Sequence, residues 1–390
     1  MNVSSKRLFP RLQPDTRLLL DRTFEKAISE GVFSGAQMLV AVQGCPFISE
    51  TWGSTRAEGD PVSPSTRFDL ASLTKPLVTA PLALTAVARG IMRLDDPLER
   101  FFPADLIGPE KREITIRHLL SHSSGLPAYK PFYLDLIQFP CDKRRNELLS
   151  MILETPLDSA PGKAAVYSDL GYMILGFILE RLFGAGLDRL AEDILFGPLA
   201  VDELHFCRLE TGGAPNVPTA PAAGFRGLSF ASTEICPWRK RLLTGEVDDE
   251  NAWCLSGVGG HAGLFGTASG VYAILSFLSS ILDGRIRSVL WPEVLVRLFW
   301  TKTKIPENSP WCLGYDTPSM VNSSAGSHFS GNTIGHLGFT GTSFWVDLDR
   351  EIVFILLTNR IHPSRQNEGI KSFRPLVHNI VMEALKNEIR

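Results

Sequence analysis

The chain has 390 residues, 42 of them acidic and 39 basic, for a formal net charge of −3. That balance is too even to supply the phosphate neutralisation that nucleic-acid binding requires. With 44% hydrophobic and 21% charged residues, its ordinary globular composition excludes a disordered, collagenous or coiled-coil chain, and at about 150 residues per domain the length fits two or three domains, or one large domain carrying an insertion.

A first helix is predicted from Asp15 or Thr16 as its cap, with Leu18, Leu19, Phe24, Ala27 and Ile28 spaced for one face, ending near Gly31. Residues 36–43 and 46–52 are β-prone and flank Gly44, which predicts an antiparallel hairpin, and 53–65 is turn-rich. Helical spacing follows at 76–90, 116–122, 143–154 and 168–183, with loops rich in Pro, Gly and Ser between. A second apolar pair, 342–349 and 351–359, is joined across Asp349-Arg350, and 370–387 reads as a closing amphipathic helix. Both chain ends are therefore expected to give a helix and an antiparallel hairpin, with a helical insertion between them.

The longest nearly apolar run, Leu77 to Ala88, falls short of the roughly 18 residues that cross hydrocarbon, so no membrane span is expected. Residues 1–17 carry positive charge but no continuous apolar segment and no small-residue cleavage site, which predicts a cytoplasmic protein. Cys45, Cys141, Cys207, Cys236, Cys254 and Cys312 form no C-x-x-C pair; reduced, mostly buried thiols are expected, and no metal site.

The chemistry begins at Ser72-Leu73-Thr74-Lys75, where a hydroxyl and an amine three residues apart share one face of a helical turn. A serine hydroxyl becomes a nucleophile only when a base takes its proton. A lysine can serve as that base if burial or nearby cations lower its pKa. Pro76 is best tolerated near a helix start, which places Ser72 at the N-terminus, where its own N–H can meet a developing oxyanion. No G-x-S-x-G elbow is present, which argues against an α/β-hydrolase.

Five segments accompany this motif in order: FDLASLTKP at 68–76, LDDPLERFFP at 94–103, TIRHLLSHSSGLP at 115–127, PGKAAVYSDLGYMILG at 161–176 and GHLGFTGTSFWVDLDREIVFILLTNRIHP at 335–363. Together they resemble the serine β-lactamase and penicillin-binding-protein superfamily, in the branch of class C β-lactamases and related esterases and D-amino-acid peptidases. The resemblance implies a β-lactamase/transpeptidase-like fold of α/β and all-α parts. The α/β part, 1–75 with 240–390, would be an antiparallel sheet flanked by the terminal helices, the mainly helical part would be 76–239, and the active site would lie in the cleft between them.

It also implies roles for the residues. Tyr167-Ser168-Asp169 stands where look-alikes have Y-x-N, making Tyr167 the phenol that faces Ser72 and Lys75. His336-Leu337-Gly338 takes the place of K-T-G. Gly338 would let substrate approach, and the Phe339 N–H would be the second oxyanion donor beside that of Ser72. Two departures bear on the substrate: a largely neutral His336 replaces a lysine, and Asp169 puts a negative charge where an amide donor sits. Both disfavour an anionic ligand, and Asp169 would either repel it or anchor Lys75.

The expected activity is that of a cofactor-free, metal-independent serine hydrolase forming an acyl-enzyme on Ser72, an esterase or amidase on small neutral or cationic ester, amide or peptide substrates. The alternatives are a β-lactamase, a D-Ala-D-Ala-type carboxypeptidase or D-aminopeptidase, and a non-catalytic ligand-binding or penicillin-sensing module. Around this centre, the acidic and glycine-rich stretch 245–268 reads either as a solvated turn or as a tight loop in which Asn251 contacts substrate. Tyr129, Phe132 and Tyr133 are candidates for the acyl pocket or for packing. His118 and His122, four apart, have metal-ligand spacing but no third ligand, and are read as structural. Gly257, Gly259 and Ala262 fit a loose G-x-G-x-x-A outside any strand-to-helix context, so no phosphate loop is expected.

Overall fold

The structure, a computed structural model, describes residues 12–209 and 227–388. Part of the reading of the N-terminus and of the helical region falls on 1–11 and 210–226, outside the described residues. The first helix, α1, runs Pro14–Ser29; Gln13 is its cap and Pro14 occupies the first turn, where its missing N–H costs nothing. Asp15 therefore lies inside the first turn, favourably placed against the helix dipole, and does not cap it. The hairpin is formed by β1 (Gly35–Val42) and β2 (Cys45–Gly53). Then come α2 (Ala71–Ala88), α3 (Ile116–Leu120), α4 (Cys141–Glu154), α5 (Asp169–Phe183) and α6 (Ala268–Leu282). The chain closes with β3 (Thr333–Leu337), β4 (Ser343–Asp347), β5 (Ile352–Thr358) and α7 (Ile370–Glu388).

Five strands form one antiparallel sheet in the order β2-β1-β5-β4-β3, so the N-terminal hairpin pairs directly with the last strand. Side chains alternate across a strand, and here the alternation divides two cores. Met38 and Val40 of β1 and Ile352, Phe354 and Leu356 of β5 join Phe24 of α1 and Phe373, Val377 and Val381 of α7 on one face. Leu39, Ala41, Val353, Ile355 and Leu357 face the other core, shared with α6 and the helical region. A strand covered on both faces reads as an unbroken apolar run, which explains IVFILL in β5.

The helix α2 begins six residues before the apolar run that starts at Leu77. Its 18 residues make it long and apolar enough by length and composition to cross a membrane, a correction to the expectation, and 83% of it is buried inside the protein as a core helix. Its first turns are irregular: Ala71–Leu73 is a 3₁₀ turn and Lys75–Thr79 a π-helical stretch. Pro76, without an N–H to give, falls at the head of that stretch. The central position of β5 gives a direct test of the two-core arrangement. Phe354 is fully buried and packs edge-on to His378, so Phe354→Ala should cost about 3–5 kcal/mol in urea unfolding.

Candidate active site

The turn that carries Ser72 is held by hydrogen bonds in a strained conformation. Ala71, just before Ser72, has φ +48°, a conformation that L-residues adopt only when the surroundings enforce it. The buried Asp69 carboxylate does so by accepting the Ala71 N–H through Oδ1 (2.8 Å) and the Asp248 N–H through Oδ2 (2.7 Å). Burial pushes its pKa up to about 6 against these hydrogen bonds. From the sheet side, Thr340 Oγ1 donates to the Asp69 carbonyl (2.6 Å) and Thr342 Oγ1 to the Leu70 carbonyl (3.1 Å). Gly338 closes this contact. A Cβ there would lie 2.0 Å from Thr342 Oγ1 and 2.8 Å from the Leu70 carbonyl oxygen, so the glycine lets the end of β3 reach the turn that carries Ser72.

Ser72 and Lys75 do share one face. Lys75 is fully buried, and Nζ donates to Ser72 Oγ (2.8 Å), Asp169 Oδ1 (2.7 Å) and the His261 carbonyl (3.1 Å), occupying all three ammonium hydrogens. Burial opposes the charge most strongly, but the Asp169 carboxylate and Tyr167 together outweigh it and raise the Lys75 pKa. Lys75 is thus a cation in the resting site. Asp169 starts α5 behind the Ser168 cap, at the positive end of the helix dipole. Its backbone N–H is fixed to the Ala128 carbonyl at 2.9 Å.

Tyr167 sits one residue before that cap. It lies beside Lys75, whose Nζ is 4.8 Å from its ring centroid. Burial raises the phenol pKa above its ordinary value; Lys75 lowers it and Asp169 raises it, so the resting group is a neutral phenol. The segment is stapled to SHSSGLP: the Ser168 N–H donates to His122 Nδ1 (3.1 Å), and Ser168 Oγ donates to the Pro127 carbonyl (2.7 Å). His122, at φ +55°, lays its ring 4.6 Å from that of Tyr167. Both histidines of the i,i+4 pair are accordingly structural, His118 Nδ1 accepting the Thr115 N–H at the start of α3.

His336 closes the opposite wall. Burial first, then the Lys75 charge, push its pKa down to about 3. The ring is neutral, and with Nδ1 donating to the Leu337 carbonyl (2.9 Å) the lone pair lies on Nε2. Ser72, Tyr167, Asp169 and His336 line a cavity of about 800 Å³ together with Tyr129, Trp311, Asp316, Gly338, Phe339 and the acidic run Asp248–Glu250. No acceptor within the described residues engages the Phe339 N–H.

Asn251 is a correction. It is wholly buried; Oδ1 accepts the Tyr133 N–H and Nδ2 donates to the Lys130 carbonyl, each at 2.9 Å. With both amide ends committed, it braces the 130–133 loop. Of the three candidate aromatics, only Tyr129 lines the cavity; Phe132 packs in the core and Tyr133 against Trp238.

The sequence reading misses His261, whose carbonyl anchors Lys75 and whose Nε2 lies 2.9 Å from Asp249 Oδ1. The signal was GVGGHAGLFG: a Cβ at Gly260 would meet the Tyr172 carbonyl oxygen at 2.2 Å, so this run is the floor of the site. Burial opposes ionisation of Asp249, but His261 and the Ala252 N–H bring it down to about 2. Glu234, Cys236 and Glu250 lie close enough together to hold a metal ion, yet both carboxylates already bind the Arg365 guanidinium.

A family model described as beta-lactamase matches residues 20–374. The chain belongs to the beta-lactamase family. Among curated relatives of this beta-lactamase-family chain is the N-acetylmuramyl-L-alanine amidase of Bacillus subtilis (strain 168), 30% identical, covering 88% of this chain and 80% of the relative. The "Putative D-alanyl-D-alanine carboxypeptidase" of Escherichia coli (strain K12) is 27% identical, covering 88% and 82%. Among solved structures, EstCE1, a hydrolase with promiscuous acyltransferase activity, superposes with a TM-score of 0.69 at 19% identity, covering 95% of this chain and all (100%) of that one. The five-strand sheet with its terminal helices and helical region is the beta-lactamase/transpeptidase fold, and the protein is a hydrolase of that family.

Because the Asp169 charge holds the pKa of both Lys75 and Tyr167 up, Asp169→Asn should let the pair lose a proton more readily. The rising limb of kcat/KM against pH for ester hydrolysis should move down by about one unit, measured from about pH 8 to 12.

Proposed function

We propose that this beta-lactamase-family protein is a metal-independent esterase or amidase that forms an acyl-enzyme on Ser72 and acts on small neutral or cationic substrates. The observation that carries the reading is the buried Lys75 ammonium, bonded at once to Ser72 Oγ and Asp169 Oδ1. Loss of one proton from the coupled Lys75–Tyr167 pair supplies the base. The Tyr167 oxygen takes the Ser72 proton as Oγ bonds to the carbonyl carbon. The Ser72 and Phe339 N–H groups hold the oxyanion. On collapse, the leaving alcohol or amine takes the proton back from Tyr167, and a water then releases the acyl group by the same path in reverse.

The substrate preference follows from the charges. Lys75 has no hydrogen left to give and His336 is neutral. The remaining cations of the cavity wall are already engaged: Arg365 with Glu234 and Glu250, Arg360 and Arg374 with backbone carbonyls, and Lys371 with Glu368. A substrate carboxylate beside Ser72 would meet Asp169 instead. A second reading, a β-lactamase or D-Ala-D-Ala-type carboxypeptidase, draws support from the names of the relatives.

Ester turnover separates the two. Short p-nitrophenyl esters should be hydrolysed with a burst where deacylation is slow, Ser72→Ala should abolish turnover and fluorophosphonate labelling, and nitrocefin should be a poor substrate. Efficient nitrocefin turnover without ester cleavage would overturn the reading in favour of the second. Labelling of Ser72 with no turnover of either would favour a sensor. Asp169→Asn should raise nitrocefin turnover relative to ester turnover.

A further inference from the structure

We infer that Arg374, on the C-terminal helix α7, is a positioning residue that strengthens the oxyanion donor for acylation at Ser72; the inference rests on the acyl-enzyme reading above. The peptide between Gly338 and Phe339 has two polar ends. Its N–H, that of Phe339, is unengaged within the described residues, at a residue that lines the cavity. Its carbonyl, that of Gly338, accepts Nη2 of Arg374 at 2.9 Å. The same Nη2 donates to the Thr342 carbonyl (2.7 Å), which also accepts the Gly338 N–H (2.7 Å). One guanidinium therefore clamps both ends of the 338–342 turn.

The consequence for the donor is electronic as well as steric. The C–N bond of a peptide has partial double-bond character. A cation on the carbonyl oxygen draws density through that bond and makes the N–H a stronger donor, as in any polarised hydrogen-bond chain. Arg374 is 7% exposed, and its hydrogen bonds go to carbonyls; among the described residues no carboxylate pairs with it. Such a charge is costly in the resting protein. It is best compensated when a negative charge develops on the substrate oxygen bound to the other end of the same peptide, an interaction stronger in the transition state than in the ground state.

Arg360 provides the internal comparison. Its Nε donates to the Phe339 carbonyl at 2.7 Å, the next peptide along, whose N–H belongs to Thr340. Arg360 anchors the same turn without touching the donor peptide.

The experiment measures kcat and KM for a p-nitrophenyl ester, and the inhibition constant of phenylboronic acid, whose serine adduct carries a tetrahedral anion. Arg374→Met should lower kcat by about 10- to 100-fold, less than the loss of a whole oxyanion donor, with KM changed less than about threefold. Boronate binding should weaken by a similar factor, and Arg374→Lys should recover most of the loss. Arg360→Met should lose less kcat than Arg374→Met. Should Arg374→Met not fold, Arg374→Gln, which keeps a donor but no charge, is read in the same way. A kcat within twofold of wild type in the neutral variant, a loss confined to KM, or a loss no larger than that of Arg360→Met overturns the inference and leaves the acyl-enzyme reading intact. Absence of wild-type ester turnover overturns both.

Discussion

The buried ammonium of Lys75 organises everything around it. A lone cation in a protein interior is strongly disfavoured, so the chain must deliver an anion and further acceptors to one point. It does so from three distant stretches: Ser72 on α2, Asp169 at the head of α5 and the His261 carbonyl in the glycine-rich floor. The departure from an amide at position 169 is therefore an electrostatic decision with two results. It holds Lys75 as a cation, and it places a carboxylate beside Ser72 at the cavity wall.

The large sheet serves the same point from the other side. Because β5 is covered on both faces, β4 and β3 are held in register with it, and the turn that follows β3 is delivered to the turn that carries Ser72. The closeness of that turn to residues 69–70 depends on hydroxyls, Thr340 and Thr342, and on the absence of a side chain at Gly338. The terminal helices thus have two duties. Both α1 and α7 cover a core, and α7 also sends Arg374 through to the turn.

Much of this was legible in the sequence. Apolar, β-prone runs and the turn residues between them locate β1, β2, β4 and β5, and helical spacing over 168–183 locates α5. Ser72, Tyr167, Asp169 and His336 line one cavity, with Lys75 buried behind it and bonded to Ser72. What escaped was of two kinds. The sequence reading assigns no element at α6, although Thr267 caps it and Val271, Ile274, Leu278 and Ile281 carry its buried face. Contacts made by backbone atoms leave no residue-type signature, so the His261 carbonyl stayed hidden. Asn251 misled for a related reason: a polar side chain in a glycine-rich acidic stretch looks like a ligand contact, yet its amide replaces backbone partners for a loop.

The burial of α2 carries one more implication. The helix that carries Ser72 is also a core helix, with residues from Leu73 to Ala86 buried in the interior. A molecule that loosens enough to expose that core must also dissolve the bonds at Lys75 and release the Ala71 turn. On the acyl-enzyme reading, partly unfolded chains would therefore carry an ordinary, inert serine.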